Sequence, residues 1–274
     1  MASFVLPHSL NTAPFDARAE TYDAVFTESL VGKAQRSQVW REMDRVFHPG
    51  QRILEINCGT GVDAVRLAQR GLKVVACDSS ARMIAVARRR LQTAGMLHSV
   101  ELRTLATEQV ASVGPAGTFD GLLSNFAGLN CVDDLGRAAR SLAHLLRPGS
   151  KAMVCVFGRF CLWEMAWHAL RGDLRKAFRR LRSGETLLDW ENGPTLRVHY
   201  PSVRELVRLF SPFFRLKEWR GIGVLVPPTG LEPVVRRVPR GFRLAASIDS
   251  HLGRAPIART FADHYLLIFE RSAT

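Results

Sequence analysis

The sequence predicts an α/β protein built on a doubly wound, mostly parallel sheet with helices on both faces. Three observations predict it. Residues 53–61 read Ile-Leu-Glu-Ile-Asn-Cys-Gly-Thr-Gly, a short apolar run closing on two glycines. A helical pattern follows at Val62, Val65, Leu67 and Ala68, and a second apolar run, Lys73 to Cys77, ends on Asp78. Apolar runs and helical patterns then alternate to residue 157. Strand, glycine turn, helix, strand and carboxylate form the nucleotide half-site of such a sheet, with the acid placed to accept from two ribose hydroxyls.

Taken in order, residues 1–14 read as a loose tail and Phe15 to Phe47 as helical, with Gly32 marking a break between two helices. His48-Pro49-Gly50 is a stop before the first strand. Gly59 and Gly61 let the backbone turn sharply and approach a ligand. Ala64 stands where a dinucleotide fingerprint wants a third glycine, a change that fingerprint tolerates, so the loop alone admits a dinucleotide. No Gly-Lys-Ser/Thr follows, which excludes a P-loop. Ser80 is placed to cap a helix from Ala81 to Gln92 whose Met83, Ile84, Ala87 and Leu91 share a face. Val100 to Leu105 is a third strand, and Lys151 to Phe157 is the fifth. Residues 159–183 are Arg-rich and amphipathic, with Phe160, Leu162, Trp163, Met165, Trp167 and Leu170 interleaved. Residues 184–201 read as a loop with a short extended segment. Ser202 and Glu205 have capping-box spacing at the start of a helix to Phe210. The division expected is a helical cap at 1–47, an α/β core at 48–158, an insertion at 159–213 and closing strands at 214–274, with a loop insertion at 227–258.

At 274 residues the chain suits one large domain with an insertion, and 47% hydrophobic content argues against wholesale disorder. No apolar run reaches membrane-spanning length, and the first residues lack the pattern of a secretion signal. Five cysteines form no CxxC pair, so a reduced, cytoplasmic protein with no metal site is expected. The net charge is +13, and Arg171, Arg175, Lys176, Arg179, Arg180 and Arg182 crowd one segment around Asp173. That segment is either a surface for phosphate, in nucleic acid or anionic lipid headgroups, or a solvated helix face in an Arg-rich protein.

Four stretches come in a recognisable order: Glu55-x-x-x-Gly59-x-Gly61, Asp78-Ser79-Ser80-x-x-Met83, Phe119-Asp120-Gly121-Leu122-Leu123-Ser124-Asn125 and Leu146-Arg147-Pro148-Gly149. Over residues 15–157 the chain resembles the class I S-adenosylmethionine-dependent methyltransferase family, in its small-molecule branch. The resemblance implies a Rossmann-like sheet of seven strands, closed by an antiparallel pair read here as Phe214 to Val226 and His264 to Phe269. It implies S-adenosylmethionine as cofactor, with S-adenosylhomocysteine as product. It assigns the cofactor to Tyr22, Arg36, Glu55, Asn57, Gly59, Thr60, Gly61, Asp78, Ser79, Met83, Ala106, Thr107 and Asn125. Tyr22-Asp23 matches a pair that closes the pocket, and Arg36 matches an arginine on the cofactor carboxylate, with a solvated helix residue as the other reading. The chain departs from the family at Ala106, where many members carry an aspartate for the adenine amino group. Backbone groups of Ala106 and Thr107 are the substitute.

A methyl on a sulfonium is already activated, so such an enzyme mainly aligns reactants and excludes water. A hydroxyl acceptor still needs a base. The candidates are His264 with Asp263 at the start of the last strand, His199 before the capped helix, and Asn125 and Asn130 after the fourth strand. Each also has a structural reading, as a paired strand-end histidine or a turn-capping amide. The function expected is methyl transfer to a small, apolar or lipid-like metabolite. The alternatives are an RNA methyltransferase using residues 171–182, and a non-catalytic cofactor-binding scaffold. Peripheral contact with an anionic membrane is a further partner reading.

Overall fold

A computed structural model describes residues 15–182, 186–188 and 196–273. The tail expected at 1–14 and most of the loop expected at 184–201 lie outside the described residues. The N-terminal segment begins with a 3-10 turn at Asp16–Arg18 and a π-helical turn at Asp23–Thr27. Helix α1 then runs Leu30–Val46, with the Ser29 hydroxyl accepting from the Gly32 N–H at 2.9 Å. The break expected at Gly32 therefore lies earlier, at Glu28-Ser29. Gly32 is needed for packing instead, since a Cβ there would sit 1.9 Å from the Phe26 carbonyl oxygen.

The core alternates as its apolar periods dictate: β1 (Arg52–Ile56), α2 (Val62–Gln69), β2 (Lys73–Asp78), α3 (Ala81–Thr93), β3 (Val100–Thr104), β4 (Phe119–Ser124), α4 (Leu135–Leu145) and β5 (Leu146–Phe157). The insertion supplies α5 (Leu162–Ala169), α6 (Leu174–Ala177) and a small hairpin of β6 (Thr186–Leu188) and β7 (Leu196–Val198). Helix α7 (Val203–Phe210) starts on Ser202, whose hydroxyl accepts from the Glu205 N–H as its spacing predicts. Strand β8 (Phe214–Ile222), α8 (Glu232–Arg237), α9 (Pro239–Leu252) and β9 (His264–Arg271) complete the chain.

The loop insertion expected at 227–258 is corrected by α8 and α9. Pro233 and Pro239 lie in the first turns of those helices, where a missing N–H costs nothing, so these prolines start helices rather than break them.

The seven-stranded sheet has the order β3-β2-β1-β4-β5-β9-β8, with β9 antiparallel to both neighbours. Helices α1, α2 and α3 pack on one face through Val39, Met43, Leu67 and Leu91, while α4 and α7 pack on the other through Leu142, Leu206 and Phe210. The strand order reverses between β1 and β4, the topological switch point where ligands bind in such sheets. Because β9 is antiparallel, its first residue, His264, pairs with Phe157 at the carboxyl end of β5. The expected position of His264 at the start of the last strand is thereby met, at the edge formed by the carboxyl ends of the parallel strands.

Gly121 shows how tightly the central strands are packed. A Cβ there would meet the Phe47 ring at 2.6 Å and Ile53 Cδ1 at 2.8 Å. Gly121→Ala is expected to destabilise the protein by about 1–3 kcal/mol through overpacking, read as a lower urea midpoint. An unchanged midpoint would show that the Phe47 ring has room to move.

Candidate active site

The turn after β1 places three residues in the left-handed region: Asn57 (φ 55°), Gly59 (φ 53°) and Gly61 (φ 74°). The position of a Cβ on Gly59 is open space. The Gly59 N–H donates to Asp78 Oδ2 at 2.8 Å, and the Ser80 N–H donates to Oδ1 at 2.9 Å. The carboxylate is thus held between the glycine turn and the start of α3. Burial raises its pKa above the ordinary aspartate value, against the pull of those two donors. Gly61 does a different job: a Cβ there would lie 2.8 Å from the Ala87 Cβ, so its absence lets α2 close on α3.

These residues border one cavity of about 650 Å³ at the carboxyl edge of the sheet. Tyr22, Arg36, Asn57, Gly59, Thr60 and Asp78 line one end of it, with Ser79, Met83, Ala106, Thr107 and Asn125. Gly61 and Glu55 are not on its wall. Glu55 is buried in β1, where burial and then Asp63 push its carboxyl well above the usual range. Asn57 Nδ2 donates to Thr107 Oγ1 at 3.1 Å, which fixes the segment carrying Ala106. The Tyr22 phenol is pushed up to about 12, chiefly by burial. Its segment is pinned over the turn by Asp23, which accepts from Thr60 Oγ1 at 2.8 Å and pairs with Arg90.

Arg36 is buried, which rules out its reading as a solvated helix residue. It projects from α1 between the rings of Phe26 (5.4 Å) and Phe126 (4.8 Å), and its Nη1 donates to Asp63 Oδ2 at 2.6 Å. Asp63 also accepts from Trp40 Nε1 at 2.6 Å and from Asn125 Nδ2 at 2.8 Å. Burial disfavours the arginine's charge, but Asp63 overcomes this and raises its pKa. The loop carrying Asn125 is bent: Phe126 and Ala127 have φ of 49° and 67°, values that non-glycine residues seldom adopt outside functional sites.

The other end of the cavity lies past β5. Its apolar wall comes from Phe157, Trp167, Leu196 and Val198, and its polar groups are Glu164, Arg179, Arg180, Asp263 and His264. Arg180 organises them. Its Nη2 donates to Glu164 Oε2 at 2.6 Å and to Asp263 Oδ1 at 2.9 Å, and its Nη1 to the carbonyls of Gly158 and Asp263. Gln35 Nε2 donates to Asp263 Oδ2 at 3.1 Å. Burial raises the Asp263 carboxyl, but His264 and Arg180 outweigh it and hold the group below the usual value. The His264 ring stacks on Phe157 at 4.8 Å and meets Phe126 edge-on at 5.4 Å. Its Nδ1 lies 3.4 Å from Asp263 Oδ2. Burial lowers the imidazole pKa, with Arg180 adding to the effect and Asp263 opposing it.

From Asp78 on β2 to His264 on β9 is four strand spacings, about 19 Å. The cavity therefore has length for two ligands end to end. His199 is not on its wall: its backbone N–H donates to the Asn130 carbonyl at 2.7 Å, and Asn130 Nδ2 donates to the His199 carbonyl at 2.6 Å. Asn130 also accepts from the Phe157 N–H, so it acts as a structural clamp.

Sequence reasoning missed Asp63, Trp40, Gln35, Glu164 and the inward turn of Arg179 and Arg180. Asp63 had one legible sign, an acid in the first turn of the helix after the glycines. The others are joined across the fold by contacts that spacing does not announce. The Arg-rich segment was expected to be a single outward surface. Instead Arg180 is buried, and Arg179 Nε donates to Glu164 Oε1 at 2.5 Å on the cavity side.

Residues 53–149 match the family model described as a methyltransferase domain. The chain is 30% identical to a demethylmenaquinone methyltransferase of Mycobacterium marinum over 52% of this chain and 57% of that protein. It is 30% identical to a tRNA 5-carboxymethoxyuridine methyltransferase of Escherichia coli over 49% of this chain and 52% of that protein. The chain thus spans just over half the length of these curated relatives. In fold it is similar to an S-adenosylmethionine-dependent methyltransferase from Methanosarcina mazei, with a TM-score of 0.59 and 18% identity, covering 85% of this chain and 98% of that one. Together with the strand order, the glycine turn and the held Asp78 carboxylate, these matches show a methyltransferase domain at residues 53–149, in a chain whose fold is similar to that of S-adenosylmethionine-dependent methyltransferases.

Proposed function

We propose that the protein transfers a methyl group from S-adenosylmethionine to a small, largely apolar acceptor seated between Phe157, Trp167 and His264. The observation that carries this reading is the continuity of one cavity from the Asp78 end to the His264 end. At the Asp78 end, the residues fit the cofactor. Asp78 presents a fixed carboxylate to ribose hydroxyls, Gly59 leaves open space for close approach, and Arg36 brings the positive charge that a cofactor carboxylate needs. The Ala106 and Thr107 backbone lies where adenine is expected. When bound, S-adenosylmethionine supplies a methyl group activated on a sulfonium sulfur, whose bonding electron pair returns to sulfur as the new bond to the acceptor forms.

The chain's own part is positioning, exclusion of water and proton transfer. The lowered pKa leaves His264 neutral at neutral pH, ready to take the acceptor's proton. With Nδ1 facing Asp263, Nε2 is the nitrogen turned to that task, and Asp263 then balances the imidazolium charge. Arg180 keeps Asp263 ionised and in place. The apolar walls favour a ring or chain over a sugar or a peptide. The demethylmenaquinone methyltransferase relative is in keeping with a lipid-like acceptor.

A second reading, methylation of an RNA base, has the tRNA-methylating relative in its favour. It loses two of the six cations it would use, because Arg179 and Arg180 are committed to Glu164.

Labelled methyl transfer into fractionated cell extract tests the proposal. Label in the organic-soluble fraction is expected, and label confined to RNA would replace this reading with the second. Asp78→Asn is expected to weaken S-adenosylhomocysteine binding roughly 10- to 100-fold in calorimetry, since hydrogen bonds to a charged group are worth about 1.5–3 kcal/mol. The rate is expected to be flat above the ordinary imidazole value of 6.5 and to fall as His264 gains a proton at lower pH. Its stability contribution has the same sign, present above that value and lost below it as the unfolded chain takes up the proton first. His264→Ala should remove the acid limb of the rate profile, and a limb that persists would acquit His264.

A further inference from the structure

Helix α5 is amphipathic in the wrong sense for a helix facing water. Its inward side carries Glu164, Trp167 and His168, all on the cavity wall. Its outward side carries Leu162, Trp163, Ala166, Ala169 and, just past its end, Leu170, and all five are exposed. Leu162 is 52% exposed, Trp163 39% and Leu170 87%. The apolar surface continues onto Leu174, 60% exposed, and Phe178, 42% exposed, around the short α6. The spacing from 162 to 170 follows one helical face, so this is a continuous stripe and not a scatter of single residues. No helix among the described residues is long and apolar enough to cross a membrane.

The surroundings of the stripe are basic. Arg171, Arg175, Lys176 and Arg182 are exposed beside it. The single acid among them, Asp173, caps α6 and pairs with Lys176 at 3.4 Å. Arg171 lies over the Trp167 ring at 3.6 Å.

We infer that the outer face of α5 and α6 docks on an anionic bilayer surface, with Leu162, Trp163, Leu170 and Leu174 entering the headgroup region and the flanking cations contacting lipid phosphates. Interfacial helices have this character, an apolar face bordered by basic residues. The same charges disfavour a second copy of the chain, because a two-fold contact through this face would set cations against cations. The inference does not depend on the chemistry proposed above. It does place the bilayer against the outer side of the helix whose inner side walls the acceptor end of the cavity.

The test is co-sedimentation of the full chain with vesicles of phosphatidylcholine alone and of phosphatidylcholine mixed with phosphatidylglycerol. Binding to the mixed vesicles is expected, with little to the neutral ones and a marked loss at high salt. Leu170→Asp with Leu174→Asp should abolish it. Arg175→Glu with Lys176→Glu should weaken it more than tenfold, since each cation near such a surface contributes about fivefold. S-adenosylhomocysteine binding should be unchanged in both variants, which serves as the check that they fold. If the leucine pair fails that check, the charge variant decides alone. Wild-type protein that stays in the supernatant, or variants that bind like wild type, would overturn the inference. So would a dimer that Leu170→Asp disperses, which would assign the face to a second copy.

Discussion

Asp63 is a carboxylate placed inside the protein, and the cofactor end of the cavity is built around satisfying it. An unpaired charge in that position would cost several kcal/mol. Three donors from two separate elements meet the cost: Arg36 and Trp40 from α1, and Asn125 from the end of β4. Because each donor must reach one carboxylate, α1 is fixed against the start of α2 and against the bent loop at Phe126. The rings of Phe26 and Phe126 then close on the Arg36 guanidinium. The Arg36 guanidinium is in this way held by packing and hydrogen bonds before any ligand arrives.

Arg180 plays the matching part at the far end. It joins the insertion to the strand edge by bonding Glu164 on α5 and both the carbonyl and the carboxylate of Asp263. That anchorage keeps α5 against the cavity although its outer face is apolar. The Arg180 charge also acts on His264, lowering the imidazole pKa together with burial while Asp263 pulls it upward. Two buried ion networks, one at each end, thus frame a cavity with aromatic rings on its wall, Phe126 over Arg36 and Phe157 over His264.

The parts of this arrangement legible in the sequence are those governed by local rules. The glycine turn, Asp78, the Ser80 and Ser202 caps and the placement of His264 at the ligand edge follow from spacing, from capping chemistry and from the strand order that the family resemblance implied. The helices α8 and α9 were hidden because their prolines sit in first turns, where proline reads from sequence as a loop residue. For Arg36 a solvated helix residue stood as the second reading because the partner that buries it is Asp63, on a different helix. The Arg-rich segment read as one surface because a linear run of cations does not reveal which ones turn inward. Glu164 decides that, by pairing with Arg179 and Arg180 from the neighbouring helix.

The most direct test of this account is a double-mutant cycle on Arg36 and Asp63, read by chemical denaturation. Arg36→Met and Asp63→Leu should each cost about 3–5 kcal/mol, because each leaves a buried charge alone. The double variant should cost clearly less than the two together, with a coupling of roughly 2 kcal/mol or more for groups in one network. Additive losses would contradict the account. They would mean that Arg36 and Asp63 are stabilised independently and that the cofactor end is not organised by their pairing.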